Sequence, residues 1–293
     1  MRVGIVGHRG GWHTIALQQA FSRRGLDVPF FDITGLKTRV AHRPWLEAEG
    51  EALESFDVVF VRLIPGGSLE QIIFRVDALH RLENAGVHVI NSATTIERTV
   101  DKYYTSTLLE DAGLPTPKTV VVERPDAAIE AFHALGGDVV VKPLFGSEGR
   151  GMVRVVESEV AERVFRALEV GRYVYYLQSF LPHGQEDIRV FVIGGRAVAA
   201  MVRRGSSWKT NVAQGAAVTP LPLNAELEDL ARRAAEAVCA DYAGVDLLET
   251  PNGGYTVVEV NGIPGWKGLQ RATGVQIGDL LAAYALGVND ETS

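Results

Sequence analysis

The sequence predicts an α/β (α+β) fold in which a small doubly wound domain precedes strand-rich units. Three observations carry this. Apolar strand and helix patterns alternate through residues 1–95, a glycine-rich loop joins two apolar runs at 138–156, and two β-branched runs meet across a tight turn at 245–262. The alternation implies a parallel sheet with helices on its faces, whereas the later stretches imply hairpins.

Taken in order, residues 2–6 form a short apolar strand, 14–24 a helix with Ile15, Leu17 and Phe21 as apolar positions, and 28–31 a second strand. Residues 57–63 read Asp-Val-Val-Phe-Val-Arg-Leu, a nearly continuous apolar run suited to a buried parallel strand. A helix follows at 68–85 with Leu69, Ile72, Ile73, Val76 and Leu79 at helical spacing and Ser68 as N-cap, then a strand at 87–90. The turn Gly7-His8-Arg9-Gly10-Gly11 does not have the G-x-G-x-x-G spacing of a dinucleotide site. His8 and His13 read as loop and helix-start residues. Arg62 ends a buried strand at the carboxyl edge of this sheet, where open α/β sheets bind ligands, and is a candidate substrate contact.

Residues 99–113 read as one helix closed by Gly113, with Pro115 and Pro117 just after it. A strand at 118–122 and a helix at 126–135 follow. The run 138–142 ends in Lys142, where a charge terminating an apolar strand needs a partner. Gly146, Gly149 and Gly151 then make a loop whose backbone N–H groups can close over phosphates, with Lys142 as a nearby fixed charge. The loop opens a strand at 152–156 rather than a helix, so it is not a Walker loop; an ordinary mobile hairpin is the alternative.

Strands are expected at 173–180, 187–193 and 196–203, with Gly194-Gly195 turning the last pair. Residues 204–223 lack periodicity and read as a loop over a site. Residues 224–240 form an amphipathic helix, 262–273 a loop and 275–286 a closing helix. In the hairpin at 245–262, a loop of Pro251–Gly254 sets Thr250 against Tyr255 and hence Asp246 against Glu259. Such partners have Cβ atoms about 4.5–5.5 Å apart, so two carboxylates repel there. Asn261 shares their face. Three hard oxygen donors suit Mg²⁺ or Mn²⁺; a solvated hairpin with surface acids is the alternative.

Composition bounds the function. A chain of 293 residues has room for two or three domains, and 46% apolar with 22% charged residues excludes a disordered chain. With 29 basic and 36 acidic residues the net charge is −7, which argues against nucleic-acid or membrane binding through bulk charge. The single cysteine, Cys239, permits no internal disulfide and fits a cytoplasmic location; within the apolar stretch 227–240 it reads as a packed small hydrophobe. No apolar run has the length of a membrane span.

The order of the motifs is more specific than any one of them. The strings Asp101–Pro117, Val139–Met152, Asp187–Arg204, Ala243–Glu249 and Glu259–Gly268 resemble the ATP-grasp ligases, and within them the RimK-type α-L-glutamate ligases, most strongly over 100–273. The resemblance implies an ATP-grasp fold with a preceding α/β domain at 1–95, a central subdomain at 96–182 and a C-terminal subdomain with the metal-binding hairpin at 183–293. It implies that Lys102 and Lys142 bind the nucleotide phosphates under a loop containing Gly146, Ser147, Gly149 and Gly151. Gln178, Ser179, Phe180 and Leu181 match the linker beside adenine, although the family often has Glu where this chain has Ser179. Asp187 matches the acidic residue near the ribose, and Lys209, Thr210 and Asn211 match an Arg-Ser-Asn string, with lysine losing the guanidinium fork. Arg203 matches the cation facing the transferred groups, and Asp246, Glu259 and Asn261 match the ligands of two Mg²⁺ or Mn²⁺ ions.

A carboxylate is a poor electrophile. ATP converts it to an acyl phosphate, and an amine then displaces phosphate to leave an amide. That chemistry needs charge neutralisation and alignment, as Lys102, Lys142 and Arg203 would supply. The expected substrates are small molecules, L-glutamate and an acceptor of the methanopterin- or methanofuran-type coenzyme class, with no nucleic acid, no membrane and homo-oligomerisation left open. A protein tail or amino-acid carrier protein as acceptor, a nucleotide-binding regulatory module without catalysis, and a small-molecule kinase are the alternatives. Arg189, Trp208 and Trp266 are weighed between site and packing roles, Trp208 and Trp266 in flexible polar stretches.

Overall fold

The computed structural model describes residues 1–7, 9–146, 149–210 and 215–288. The first third contains β1 (Val3–Gly7), α1 (Trp12–Ser22), β2 (Phe30–Asp32), β3 (Lys37–Thr38), β4 (Leu46–Ala48), β5 (Glu51–Ala52), β6 (Val58–Val61), α2 (Leu69–Asn84) and β7 (His88–Ile90). The middle contains α3 (Ala93–Val100), α4 (Lys102–Asp111), β8 (Thr119–Val122), α5 (Pro125–Ala134), β9 (Val139–Lys142), β10 (Val153–Val155), α6 (Ser158–Val170) and β11 (Tyr175–Ser179). The last part contains β12 (Glu186–Ile193), β13 (Arg196–Arg204), β14 (Ala217–Leu221), α7 (Ala225–Ala237), β15 (Tyr242–Glu249), β16 (Tyr255–Asn261), α8 (Lys267–Thr273) and α9 (Ile277–Leu286).

The first sheet is parallel, in the order β2-β1-β6-β7. Both faces are covered, so its strands read as apolar runs without alternation. On one face Val76, Leu79 and Leu82 of α2 pack against Val59 and Val61. On the other, Leu17 and Phe21 of α1 and Leu281 of α9 pack against Ile5 and Phe60. Ser68 caps α2 as expected, in a reciprocal box with Gln71.

The second sheet is antiparallel, β10-β9-β11-β8, and packs one face on α5 and α6. The third is antiparallel, β14-β13-β12-β15-β16. Its even–odd alternation divides two faces. Val190, Val192, Val245 and Val257 face Leu227, Ala231 and Ala234 of α7. The opposite face is apolar at one end, where Phe191, Met201 and Tyr242 join Trp266 and the α1 side of the first sheet in one core. At its other end that face carries Asp187, Arg189, Arg203, Asp246 and Glu259.

Asn91 splices these parts together. Its buried amide donates to the Tyr242 and Gly262 carbonyls (2.7 and 2.5 Å) and accepts from the Asp241 and Tyr242 N–H groups (2.7 and 3.2 Å). It thereby holds the open end of the β15–β16 hairpin to the end of β7. A Cβ on Gly262 would lie 2.4 Å from Thr99 Oγ1, so the approach of α3 to the hairpin requires glycine there.

Several expectations are corrected. The single helix over 99–113 is two, because the Asp101 carboxylate accepts from the Tyr103 and Tyr104 N–H groups (2.9 and 3.0 Å) and starts α4 afresh at Lys102. Residues 158–170 form α6 where no helix is expected, although its buried Ala161 and Phe165 are an ordinary i, i+4 pair. The aperiodic 204–223 contains β14, an edge strand that tolerates Pro220. The loop over 262–273 contains α8. Helix α7 ends at Ala237, and Cys239 lies beyond it, exposed, at φ +59, with Arg98 Nη1 donating to its sulfur at 2.9 Å; it is not packed in the core. Among the described residues no helix is long and apolar enough to cross a membrane.

Candidate active site

A cleft of about 690 Å³ separates the open face of the second sheet from the charged end of the third. The second sheet contributes Val140, Lys142 and Gln178, followed by Ser179, Phe180 and Leu181. The third contributes Asp187, Arg203, Asp246 and Glu259, with Lys209 and Thr210 from the segment after β13. A smaller space of about 280 Å³ adjoins it and shares Lys142 and Glu259, with Lys102 and Tyr176 in its wall.

Lys142 ends β9 opposite Tyr176 of β11 and is buried. Its Nζ donates to Gln178 Oε1 at 2.6 Å. Burial pushes the ammonium down from its ordinary 10.5 to about 8, opposed by Glu259, with Lys102 adding to the depression and Asp246 opposing it. Lys102 opens α4, and its Nζ donates to the Gly146 carbonyl at 2.7 Å. Burial also lowers this ammonium, against the pull of Glu259 and Asp101. Both lysines therefore feel the Glu259 carboxylate. Gly146, Gly149 and Gly151 adopt φ values of +140, +70 and +74°, which suit glycine and shape the loop. Ser147 lies outside the described residues, as does Asn211.

Arg203 is 2% exposed. Its Nε and Nη2 donate to the two Asp187 oxygens, and Nη2 lies 2.9 Å from Asp246 Oδ2. Burial works against its charge, but Asp246 and Asp187 outweigh it and hold the guanidinium protonated. Thr210 Oγ1 donates to Asp187 Oδ2 at 2.5 Å. Asp246 also accepts a two-pronged grip from Arg189, Nε to Oδ1 at 2.6 Å and Nη2 to Oδ2 at 2.7 Å. Burial would raise the Asp246 carboxyl, but Arg189 and Arg203 outweigh it and hold it below the usual carboxylate range. The result is an alternation of charge, Arg189–Asp246–Arg203–Asp187, buried at its centre and half-buried at its two ends.

Asp246 does stand opposite Glu259. The route differs from the expected turn. Glu249 pairs with Tyr255 and Leu247 with Val257, and a bulge at Val258 then restores Asp246 to Glu259. Asn261 pairs with Gly244, further along the same face. Among the described residues no side chain hydrogen-bonds the Glu259 carboxylate or the Asn261 amide. The donors are all oxygens, and a pair of carboxylates with an amide suits a hard divalent cation that also takes phosphate oxygens. No group of three His, Cys, Asp or Glu residues gathers among the described residues, so a cation here would have to draw on Asn261 or on substrate oxygens as well.

Two expected candidates belong to the core instead. Arg62 is 8% exposed and donates to Tyr242 Oη at 2.6 Å and the Pro264 carbonyl at 2.9 Å, over the Trp266 ring. Trp266 is fully buried, with its backbone N–H donating to His13 Nε2 at 3.0 Å. Burial, Arg62 and Lys267 push His13 down to about 4, so it is neutral at pH 7. Trp208 does line the cleft, edge-on to Phe180 at 6.2 Å. Pro117, Met152 and Val258 line the cleft and Tyr176 the adjoining space, beyond the residues expected there. Tyr176 was legible as the residue two before Gln178, hence on its face; Val258 is visible only once the bulge is known.

A family profile for the RimK-like ATP-grasp domain matches residues 99–285. The tetrahydromethanopterin:α-L-glutamate ligase of Methanosarcina acetivorans is 32% identical over 308 residues, covering 93% of this chain and 94% of that protein. The α-aminoadipate–LysW ligase LysX of Sulfurisphaera tokodaii is 34% identical over 204 residues, covering 68% and 72%. The solved structure of the ATP-grasp ligase PsnB with minimal precursor, Mg and ADP superposes with a TM-score of 0.76 at 22% identity, covering 97% of each chain. ATP and Mg are thus general features of the family. With two lysines and an acid-lined hairpin closing one cleft, this chain belongs to the RimK-like ATP-grasp family, as a ligase that forms carbon–nitrogen bonds.

Proposed function

We propose that the protein joins L-glutamate to a small coenzyme precursor of the pterin-bearing class, in an ATP-dependent reaction through an acyl phosphate. The observation that carries this reading is the cleft itself: Lys102, Lys142 and Arg203 supply three cations around the Glu259 carboxylate. A carboxylate oxygen takes the γ-phosphoryl group and ADP leaves. The amine nitrogen then forms the C–N bond as the C–O bond to phosphate breaks, and the ammonium proton passes to solvent or phosphate.

The side chains divide that work. Lys142, pinned by Gln178, and Lys102, pinned by Gly146, hold phosphate oxygens at fixed positions. Arg203 cannot swing, since Asp187 and Asp246 hold two of its nitrogens, while no described residue accepts from Nη1; that nitrogen is free for a substrate oxygen. Glu259 and Asn261, with Asp246, would hold the Mg²⁺ of a two-ion site. Such an ion supplies positive charge where the phosphate oxygens gather it. Ser179 through Leu181 and Val140 offer an apolar slot for the purine. The four sheets among the described residues, of which β2-β1-β6-β7 and β3-β4-β5 lie before residue 95, β10-β9-β11-β8 between 95 and 182 and β14-β13-β12-β15-β16 after 182, support a division of the chain near those two residues.

The acceptor class rests on the names of relatives, a tetrahydromethanopterin ligase and an aminoadipate–LysW ligase, and on the net charge of −7, which disfavours an acidic protein tail. The test measures ADP and phosphate release with Mg²⁺ and a panel of amino acids and acceptors, with mass spectrometry for the amide. Release that needs both glutamate and a carboxylate-tailed pterin, with the mass of one added glutamate, supports the reading. A phosphorylated acceptor without amide would indicate a kinase, and turnover only with a carrier protein would move the acceptor to that class.

A further inference from the structure

Gln178 stands where the family resemblance puts the adenine linker, yet its side chain is fully engaged elsewhere. It is 3% exposed. Its Oε1 accepts from Lys142 Nζ at 2.6 Å, and its Nε2 donates to Thr119 Oγ1 at 3.0 Å and Tyr176 Oη at 3.2 Å. The direction of this amide is enforced. The Thr119 hydroxyl donates to the Pro117 carbonyl at 2.9 Å, so its oxygen accepts from Gln178. Tyr176 Oη accepts from Gln178 and is held 2.9 Å from Ser106 Oγ, a contact in which either hydroxyl can be the donor. Both amide hydrogens are therefore drawn toward Thr119 and Tyr176, and the amide oxygen is turned to Lys142.

No carboxylate lies within ion-pair distance of Lys142 among the described residues. A buried ammonium costs free energy without a partner, and a long lysine stem has many rotamers. The amide oxygen meets one of the three ammonium protons and leaves two for a ligand. We infer that Gln178 is a positioning residue, aimed by Thr119, Tyr176 and Ser106, which holds the Lys142 ammonium in place for the nucleotide phosphates and does not read the adenine. The inference rests on the reading of Lys142 as a phosphate-binding residue.

The test is titration calorimetry with ATP and with adenosine, each with Mg²⁺, on the wild type, Gln178→Leu, Lys142→Ala and the double variant. Losing a hydrogen bond to a charged group should weaken ATP roughly ten- to hundredfold in Gln178→Leu, with adenosine unchanged. The double variant should bind ATP no more weakly than Lys142→Ala, because Gln178 acts through the lysine. Equal losses for ATP and adenosine, or losses that multiply in the double variant, would overturn the inference. Loss in Lys142→Ala with none in Gln178→Leu overturns the inference alone; ATP binding untouched by Lys142→Ala overturns the phosphate role and the inference with it. Should Gln178→Leu not fold, Tyr176→Phe removes only one acceptor of the amide. A roughly two- to tenfold loss of ATP binding, with adenosine unaffected, then supports the inference, and no loss overturns it.

Discussion

The buried ammonium of Lys142 makes a stability prediction with a definite sign. Burial lowers it from 10.5 to about 8 in the folded chain, a difference of about 2.5 units. At about 1.4 kcal/mol per unit, the folded state forgoes about 3 kcal/mol to keep this lysine charged. Below pH 8 both folded and unfolded chains hold the proton, so the cost is constant and complete. Between pH 8 and 10.5 the unfolded chain holds the proton and the folded chain does not, so stability rises with pH through this window. Above it the contribution levels off. Lys142→Met lacks the titration. Urea unfolding of both proteins without nucleotide, from pH 7.5 to 10.5, should show the wild type gaining about 3 kcal/mol relative to the variant. The midpoints should shift without change in slope. Parallel curves across that range would refute the argument, since they would mean that the ammonium is not strained. Nucleotide phosphates favour the charged form, so ATP binding near pH 9 should be accompanied by proton uptake, visible as a dependence of the binding heat on the buffer.

Two further predictions separate structural from functional charge. Asp246→Ala leaves Arg189 and Arg203, 14% and 3% exposed at their side chains, buried without the carboxylate between them, and should cost about 3–5 kcal/mol in urea unfolding. Glu259→Gln should change stability by less than about 1 kcal/mol while abolishing Mg²⁺-dependent ADP release; wild-type turnover in that variant would remove Glu259 from the cation site. His13 is pushed from 6.5 to about 4, so as pH falls through this window the unfolded chain gains a proton that the folded chain refuses, and stability should drop by about 3 kcal/mol. His13→Gln should lose that part of the acid sensitivity, measured by unfolding at pH 7 and pH 4.

What the sequence displayed and what it concealed follow from the range of the interactions. Lys142 and the glycines announce themselves locally, by a charge at an element boundary or a backbone that only glycine adopts readily, whereas Lys102, inside the helix expected over 99–113, comes with the family resemblance. Arg62 and Trp266 do not. Arg62 ends an apolar strand and Trp266 sits in a polar stretch, and each is buried by partners about 180 to 250 residues away, along the core shared by the first and third sheets. The weak local pattern of 204–223 concealed β14 for the same reason, since an edge strand is specified by its neighbour β13.

The β15–β16 hairpin shows how a local argument can succeed by compensation. The expected four-residue loop set Thr250 against Tyr255. In the structure Thr250 belongs to the turn, its N–H donating to the Gly254 carbonyl at 3.0 Å, which shifts the pairing by one and would send Glu259 to the α7 side. The bulge at Val258 reverses that shift and returns Glu259 to the cleft opposite Asp246. The repulsion deduced from this pairing is then met unequally. Asp246 is neutralised within the protein by Arg189 and Arg203, whereas Glu259 faces Lys102 and Lys142 without an ion pair among the described residues. If the lysines hold phosphates as proposed, Glu259 would be the carboxylate left in need of positive charge when a nucleotide occupies the cleft. A divalent cation bound with the nucleotide would meet that need, and on this reading Glu259, rather than Asp246, should govern the dependence of turnover on Mg²⁺.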